Sequence, residues 1–225
     1  MKINDDLAVR AEVNSSLIDW VASPLAGVDR KMLERDGEEV ARVTSIVRYA
    51  PGSSFSPHVH TGGEEFIVLE GMFSDEMGDF KTGTYVRNPV GSRHKPGSEP
   101  GCQIFVKLWQ MAPDDQDYVR IDMNLEEGWQ AGQEDESLLS LHETKYEKVS
   151  VVKWLAGFAA NEQRIYAGGA EFFVLSGSFS DEHGRYEKRT WVRMPIGGSH
   201  TPASAEGCMV YIKTDHLDHD LPKPA

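Results

Sequence analysis

The sequence predicts an all-β protein built from two copies of one sandwich or barrel domain. A gap-free shift of 106 residues lays positions 62–107 over 168–213 with 23 of 46 identical, among them the run FSDE at 73–76 and again at 179–182. A match of that length marks a duplicated structural unit. Within each copy the segments between turn signals are short and rich in Val, Ile, Phe, Tyr and Thr, residues that fit a pleated, half-buried surface. No stretch of useful length between them carries a helical period.

Upstream of position 41 the pattern is weakest, and DRKMLER at 29–35 leaves room for a short helix. From there VTSIVRYA (43–50), EFIVLEGMF (65–73), TYVRNP (84–89) and CQIFVKLW (102–109) read as strands. They are separated by APGSS, EMGD, NPVGS and SEPG, each with the Gly, Pro, Asn or Ser that turns require. The acidic, Gly-containing segment NLEEGWQAGQEDES at 124–137 suits a linker or a long exposed loop between the copies. The expected domains are therefore 1–125 and 126–225.

Composition narrows the class. With 40% hydrophobic and 26% charged residues in 225, the chain has enough apolar surface for a real core. Its net charge of −13 repels a phosphate backbone and an anionic membrane surface, which argues against nucleic acid and membrane as direct partners. The start MKINDDLAVRAEV lacks the basic-then-apolar pattern of a signal peptide, and no apolar run reaches bilayer length; the expected location is the cytoplasm. Cys102 and Cys208, also 106 apart, read as one buried cysteine per copy rather than a disulfide framework.

The copies part company where polar residues concentrate: HVHTGGEEF at 58–66 becomes RIYAGGAEF at 164–172. Alternate side chains of a strand share a face, so His58 and His60 point the same way, and Glu64 keeps that parity if the strand continues through Gly62 and Gly63. His94 follows the NPVGSR turn. Three imidazoles and a carboxylate suit Zn, Fe(II), Mn or Ni better than Ca or Mg. Parity, and loss together with both histidines, select Glu64 over Glu65, which survives as Glu171 and is expected to face outward or pair with Arg87. Asp75, Arg87, Cys102 and Lys107 have identical counterparts in the copy without the donor set, and so are assigned to the fold. In the second copy Arg164, Tyr166 and Ala170 leave His200 alone, too little for a metal. His216 and His219 are expected in a solvated, mobile terminus.

These residues resemble a known family. Gly52, His58, His60, Glu64 and Gly71 match the first cupin motif, and Gly83, Pro89, Gly91 and His94 match the second, with Ser98 in place of its terminal Asn. The text from His60 to Cys102 looks more narrowly like the cupin domain of ChrR, a zinc-binding anti-sigma factor of oxidative and singlet-oxygen stress. The resemblance implies two tandem jelly-roll barrels with one divalent metal per chain, zinc first and Fe(II) as the alternative, held by His58, His60, Glu64 and His94. It opens two functional readings. One is a metal-binding sensor or regulator in oxidative-stress transcription control, with a regulatory protein partner. The His-x3-Cys-x2-Cys zinc motif through which ChrR binds its sigma factor does not occur in this sequence, which has only Cys102 and Cys208. The other is a non-haem Fe(II) dioxygenase that cleaves C–C bonds of a small ketone ligand. A homo-oligomer is compatible with both.

Overall fold

The computed structural model describes residues 1–132 and 135–219. Strands dominate, and the one helical element among the described residues is a single 3-10 turn at Ser15–Leu17. The chain forms two compact units, each an antiparallel jelly-roll barrel. Met1–Asp5 and Ile18–Leu125 belong to the first; Asp6–Leu17 and 126–219 belong to the second.

In the first unit the main sheet runs Lys2–Ile3, Val28–Gly37, Ala41–Tyr49, Cys102–Leu108, Glu64–Asp75, Thr84–Asn88, Val119–Asp122. Glu64–Asp75 serves both walls of the barrel. Its first half pairs with Cys102–Leu108 and Thr84–Asn88, while its end, from Met72, pairs with Gly78–Lys81 and Gly97–Ser98. Between the two halves sits Gly71, at φ 72° and so close to Gly101 that a Cβ would come within 2.0 Å of its carbonyl oxygen. Only glycine allows that crossing. The second copy repeats it, with Gly177 at φ 69° against the Gly207 carbonyl at the same 2.0 Å.

In the second unit the sheet order is Trp129–Ala131, Glu136–Glu143, Lys148–Trp154, Cys208–Thr214, Ala170–Asp181, Thr190–Met194, Ala11–Asn14. Two local expectations change. The acidic 124–137 segment is not all loop, because Trp129–Ala131 pairs with Ser137–Leu139; Gln133 and Glu134 lie outside the described residues. Ala11–Asn14, placed by sequence in the first copy, pairs with Thr190–Met194 of the second.

The DRKMLER stretch is strand, not helix. Val28–Gly37 pairs along Ala41–Tyr49 on one side and with Lys2–Ile3 and Val21–Ala22 on the other. Its residues favour helix in isolation, but a strand paired on both sides gains hydrogen bonds and burial that outweigh a propensity of a few tenths of a kcal/mol per residue.

Each barrel has its own core. Phe66, Val68, Phe73, Phe80, Val86, Ile104 and Val106 fill the first. Phe172, Val174, Phe179, Tyr186, Val192, Val210 and Ile212 occupy the matching places in the second, joined there by Trp154, Phe158 and Met194. Cys102 and Cys208 are buried and free, each with its thiol pushed up to about 11 by burial, as inert packing residues. No helix among the described residues is long and apolar enough to cross a membrane.

Candidate metal centre

The polar end of the first barrel is assembled from three short elements. His58–Val59 pairs with Arg93–His94, so that His58 and His94 face each other directly across the ladder. The chain then turns rather than continuing: the Gly63 N–H donates to the His60 carbonyl at 3.2 Å, and Gly63 takes φ 74°. Glu64 therefore arrives on a separate strand, through a turn, and not by the strand parity that the sequence invoked. The turn packs tightly on Trp109, whose ring would meet a Cβ on Gly62 at 2.2 Å.

The result is a convergent donor set. One ring nitrogen from each of His58, His60 and His94 lies within 4.8 Å of the other two. The Glu64 Oε2 joins them, 3.4 Å from His60 Nε2 and 3.7 Å from His94 Nε2. His60, Glu64 and His94 are buried and His58 is exposed. All four residues expected from the sequence are thus brought together.

Supporting contacts orient the donors. His94 Nδ1 sits 3.1 Å from Asp75 Oδ2, which turns Nε2 inward, and Asp75 is itself fixed by the Met77 N–H at 2.7 Å. His58 Nδ1 lies 3.3 Å from the Ser56 carbonyl. Asn88 donates to Glu64 Oε2 at 2.9 Å, and Arg120 in turn donates to Asn88 Oδ1 at 2.6 Å. Such second contacts set ring orientation and ligand basicity in metal sites.

The electrostatics fit a cation. Burial pulls His60 below the usual imidazole range, against the smaller pull of Glu64 in the other direction, which keeps it neutral and able to donate a lone pair. Burial acts on His94 the same way, but the Asp75 hydrogen bond and the Glu64 and Asp75 charges together outweigh it and raise its pKa. His60 Nε2 is buried with no hydrogen-bond partner. An orphaned imidazole nitrogen costs about 1–3 kcal/mol unless something fills its lone pair. A single divalent metal would do so, and the donor set is compatible with one.

The matching place in the second copy is closed by protein alone. Tyr166 stands where His60 does, and its hydroxyl lies 3.0 Å from His200 Nε2; Asp181 takes His200 Nδ1 at 3.0 Å. Arg164, in the place of His58, is held by Glu136 at 2.8 Å and lies over the Trp154 ring. Ala170 and Met194 replace Glu64 and Asn88.

Asp75 and Asn88 serve the site without standing out in the sequence as donors. The repeat of Asp75 as Asp181 points to the fold, yet each aspartate serves a retained histidine. The signal for Asn88 was available: it becomes Met194 in the copy where Glu64 becomes Ala170. Glu65 does pair with Arg87, at 3.3 Å, and also accepts from the Tyr85 hydroxyl at 2.7 Å, buried rather than outward. Ser98 donates to the Met72 carbonyl at 2.6 Å, and Ser204 repeats the bond to Ser178 at 2.7 Å, so this position is a structural tie in both barrels. His216 is not in a solvated tail: it is buried, with Nε2 2.9 Å from Glu171 Oε1. Residues 220–225 lie outside the described residues.

Against protein families, the ChrR cupin-like domain matches twice, over residues 8–112 and 121–218. The chain belongs to the ChrR cupin-like family. It is a tandem cupin. No curated protein sequence matches it significantly. Among solved structures it is similar to a candidate dioxygenase of Nostoc punctiforme PCC 73102, with TM-score 0.78 and 14% identity over 97% of this chain and 87% of that one. The E. coli protein YlbA superimposes with TM-score 0.68 at 16% identity, covering 98% and 96%. A mutant of Bacillus subtilis oxalate decarboxylase gives TM-score 0.62 at 12% identity, covering 96% and 79%. At these identities the likeness is one of fold.

Proposed function

We propose that the first cupin is a mononuclear metal enzyme acting on a small ketone, with Fe(II)-dependent oxidative C–C cleavage as its reaction. One observation carries the reading. A cavity of about 300 Å³ lies directly against His58, His60 and Glu64, walled mainly by Val43, Val47, Tyr49, Ile104 and Val106. A donor shell closed on zinc would suit a sensor; donors that border an apolar cavity of ligand size support an enzyme.

His58, His60, Glu64 and His94 would hold the metal, which when bound would supply the redox capacity to activate dioxygen. His60 and His94 offer nitrogens already aimed inward. Glu64, held by Asn88, contributes a fixed negative charge. The valines of the cavity give the ketone an apolar wall beside the donors. In the overall reaction RCOCH2R′ and O2 give RCOOH and R′CHO: one C–C bond breaks, each new terminus gains one oxygen atom, and O2 takes up the four electrons.

The test is metal content by mass spectrometry beside oxygen uptake with a panel of small diketones. About one iron per chain with ketone-dependent oxygen consumption, both lost in His60→Ala, is the expected result. A tightly held zinc, with no oxygen consumed by the iron-loaded protein, would overturn the enzymatic reading.

A further inference from the structure

We infer that the ligand of this cavity is a small organic acid whose carboxylate is held by Arg35 and Arg30, an assignment that rests on the metal-enzyme reading above. Both arginines lie on the strand Val28–Gly37, at an odd spacing that would put them on opposite faces of a regular strand. The pairing register shifts between Met32 and Glu34, and that irregularity restores parity: Arg30 lies opposite Val47, Arg35 opposite Val43, and all four line the cavity.

Neither guanidinium has a close counter-ion. Arg35 is 5% exposed and lines the cavity, and no side-chain hydrogen bond or ion pair joins it among the described residues. Arg30 has a buried Nε without a partner, and its one ion pair is a loose 3.8 Å contact with Glu39, itself 69% exposed. Burial, and then the like charge of Arg30, pull Arg35 below the usual arginine range, and the charges of Glu39 and Glu38 offset this only in part. An arginine remains charged under these conditions, so an anion entering the cavity would recover a cost the apo protein carries.

The duplicated barrel serves as an internal comparison. It keeps the same irregularity, between Ser140 and His142, and the register places Leu138 where Arg30 stands and Glu143 where Arg35 stands. Leu138 packs on the second core, and Glu143 is an exposed partner of Lys148 at 3.3 Å. Strand geometry alone therefore does not call for arginine. The pair occurs in the copy that has the donor set, and is absent from the copy that lacks it.

The chemistry of the site defines the acid. Of the four charged residues that line the cavity, Glu64 belongs to the donor set, and Glu39 offsets one of the two guanidiniums; the one positive charge left there matches a monoanion rather than a phosphate dianion. The valines and Ile104 call for an apolar body. With −13 on the whole chain, capture of an anion depends on these local donors.

The probes are 2-oxobutyrate and 4-methyl-2-oxopentanoate beside their uncharged amides. Binding is titrated calorimetrically under argon to the full metal-loaded chain and to the same protein after chelation. At least one acid should bind roughly tenfold or more tighter than its amide, with or without metal. Arg35→Gln should erase that preference while leaving metal content unchanged, and Arg35→Lys should restore part of it. Circular dichroism confirms that the variants fold, and Arg30→Gln provides a second, less buried variant with the same expected direction. Equal binding of acids and amides, no binding of either, or a preference untouched by both glutamine variants would overturn the inference. A preference that vanishes on chelation would assign the carboxylate to the metal, and overturn it too. Should the purified chain hold no metal and still prefer the acids, the metal-enzyme reading falls and the carboxylate subsite stands.

Discussion

The hydroxyl of Tyr166 reaches Nε2 of His200 at 3.0 Å and gives it the partner that His60 Nε2, at the matching place of the first barrel, lacks. With His200 Nδ1 on the Asp181 carboxylate, Nε2 is the acceptor and the tyrosine donates. Burial raises the Tyr166 pKa, which keeps that proton in place. One residue has thus taken over what a cation would do for a buried imidazole.

Removing this hydroxyl should therefore destabilise without conferring metal binding. Tyr166→Phe leaves His200 Nε2 orphaned and should cost about 1–3 kcal/mol. Chemical denaturation read by tryptophan fluorescence measures it. A variant as stable as the parent, or one that gains a metal, would contradict this account of the second barrel.

Metal should stabilise the parent and not a ligand variant. At a free concentration of 100 times Kd the bound ion adds about 2.7 kcal/mol, and chelation should lower Tm accordingly. In His60→Ala the metal-dependent shift should disappear, while the chelated protein is little changed, because a buried unpaired nitrogen has been removed along with the ring. Calorimetry with and without chelator gives both numbers.

Asn88→Ala and Asp75→Asn should weaken metal binding by roughly 10–100-fold without removing a ligand. They differ in pH dependence. A metal competes with the proton on His94, whose pKa is raised, so affinity falls as pH drops below that value. Asp75→Asn takes away the hydrogen bond and charge that hold the proton, and the fall should begin at a lower pH than in the parent. Asn88→Ala leaves Asp75 in place and should not move it downward. Competition titrations with a chromophoric chelator across pH separate the two.

Asp181 predicts an acid-sensitive second barrel. Burial favours its neutral form, but the His200 and Tyr186 hydrogen bonds and the His183 N–H outweigh that and bring the pKa down to about 2. A depressed carboxylate contributes stability above its unfolded value near 4, lost as pH falls from there through about 2. The contribution is on the order of 2 kcal/mol. Asp181→Asn should be less stable at neutral pH and show a shallower loss between pH 4 and 2 in thermal melts.

Much of the candidate site is legible without coordinates, for uneven reasons. His58, His60 and His94 stand out because a diverged copy kept the surrounding residues and dropped His58 and His60, so the comparison separates chemistry from scaffold. That logic misfires at Asp75, whose counterpart Asp181 has the same task beside a different fate for the histidine. For Glu64 the loss together with both histidines and the spacing to Gly71 point to the residue that stands beside them, whereas the strand-parity argument fails because a turn at Gly63 delivers the carboxylate.

Local composition by itself determined that this chain is β-rich, duplicated and supplied with three histidines and a glutamate at motif spacing, since these depend on short-range propensity and on positions that can be counted. Tertiary structure decided the rest. Val28–Gly37 is a strand because its partners on both sides are far away in sequence. Arg35 joins Arg30 because one register irregularity reverses its face, and no side-chain pattern announces that. Whether the place of the donor set is open or filled depends on residues from several strands meeting at one point: in the second barrel Tyr166 packs there on the core that holds Trp154 and Met194, while in the first His60 and Glu64 border a cavity.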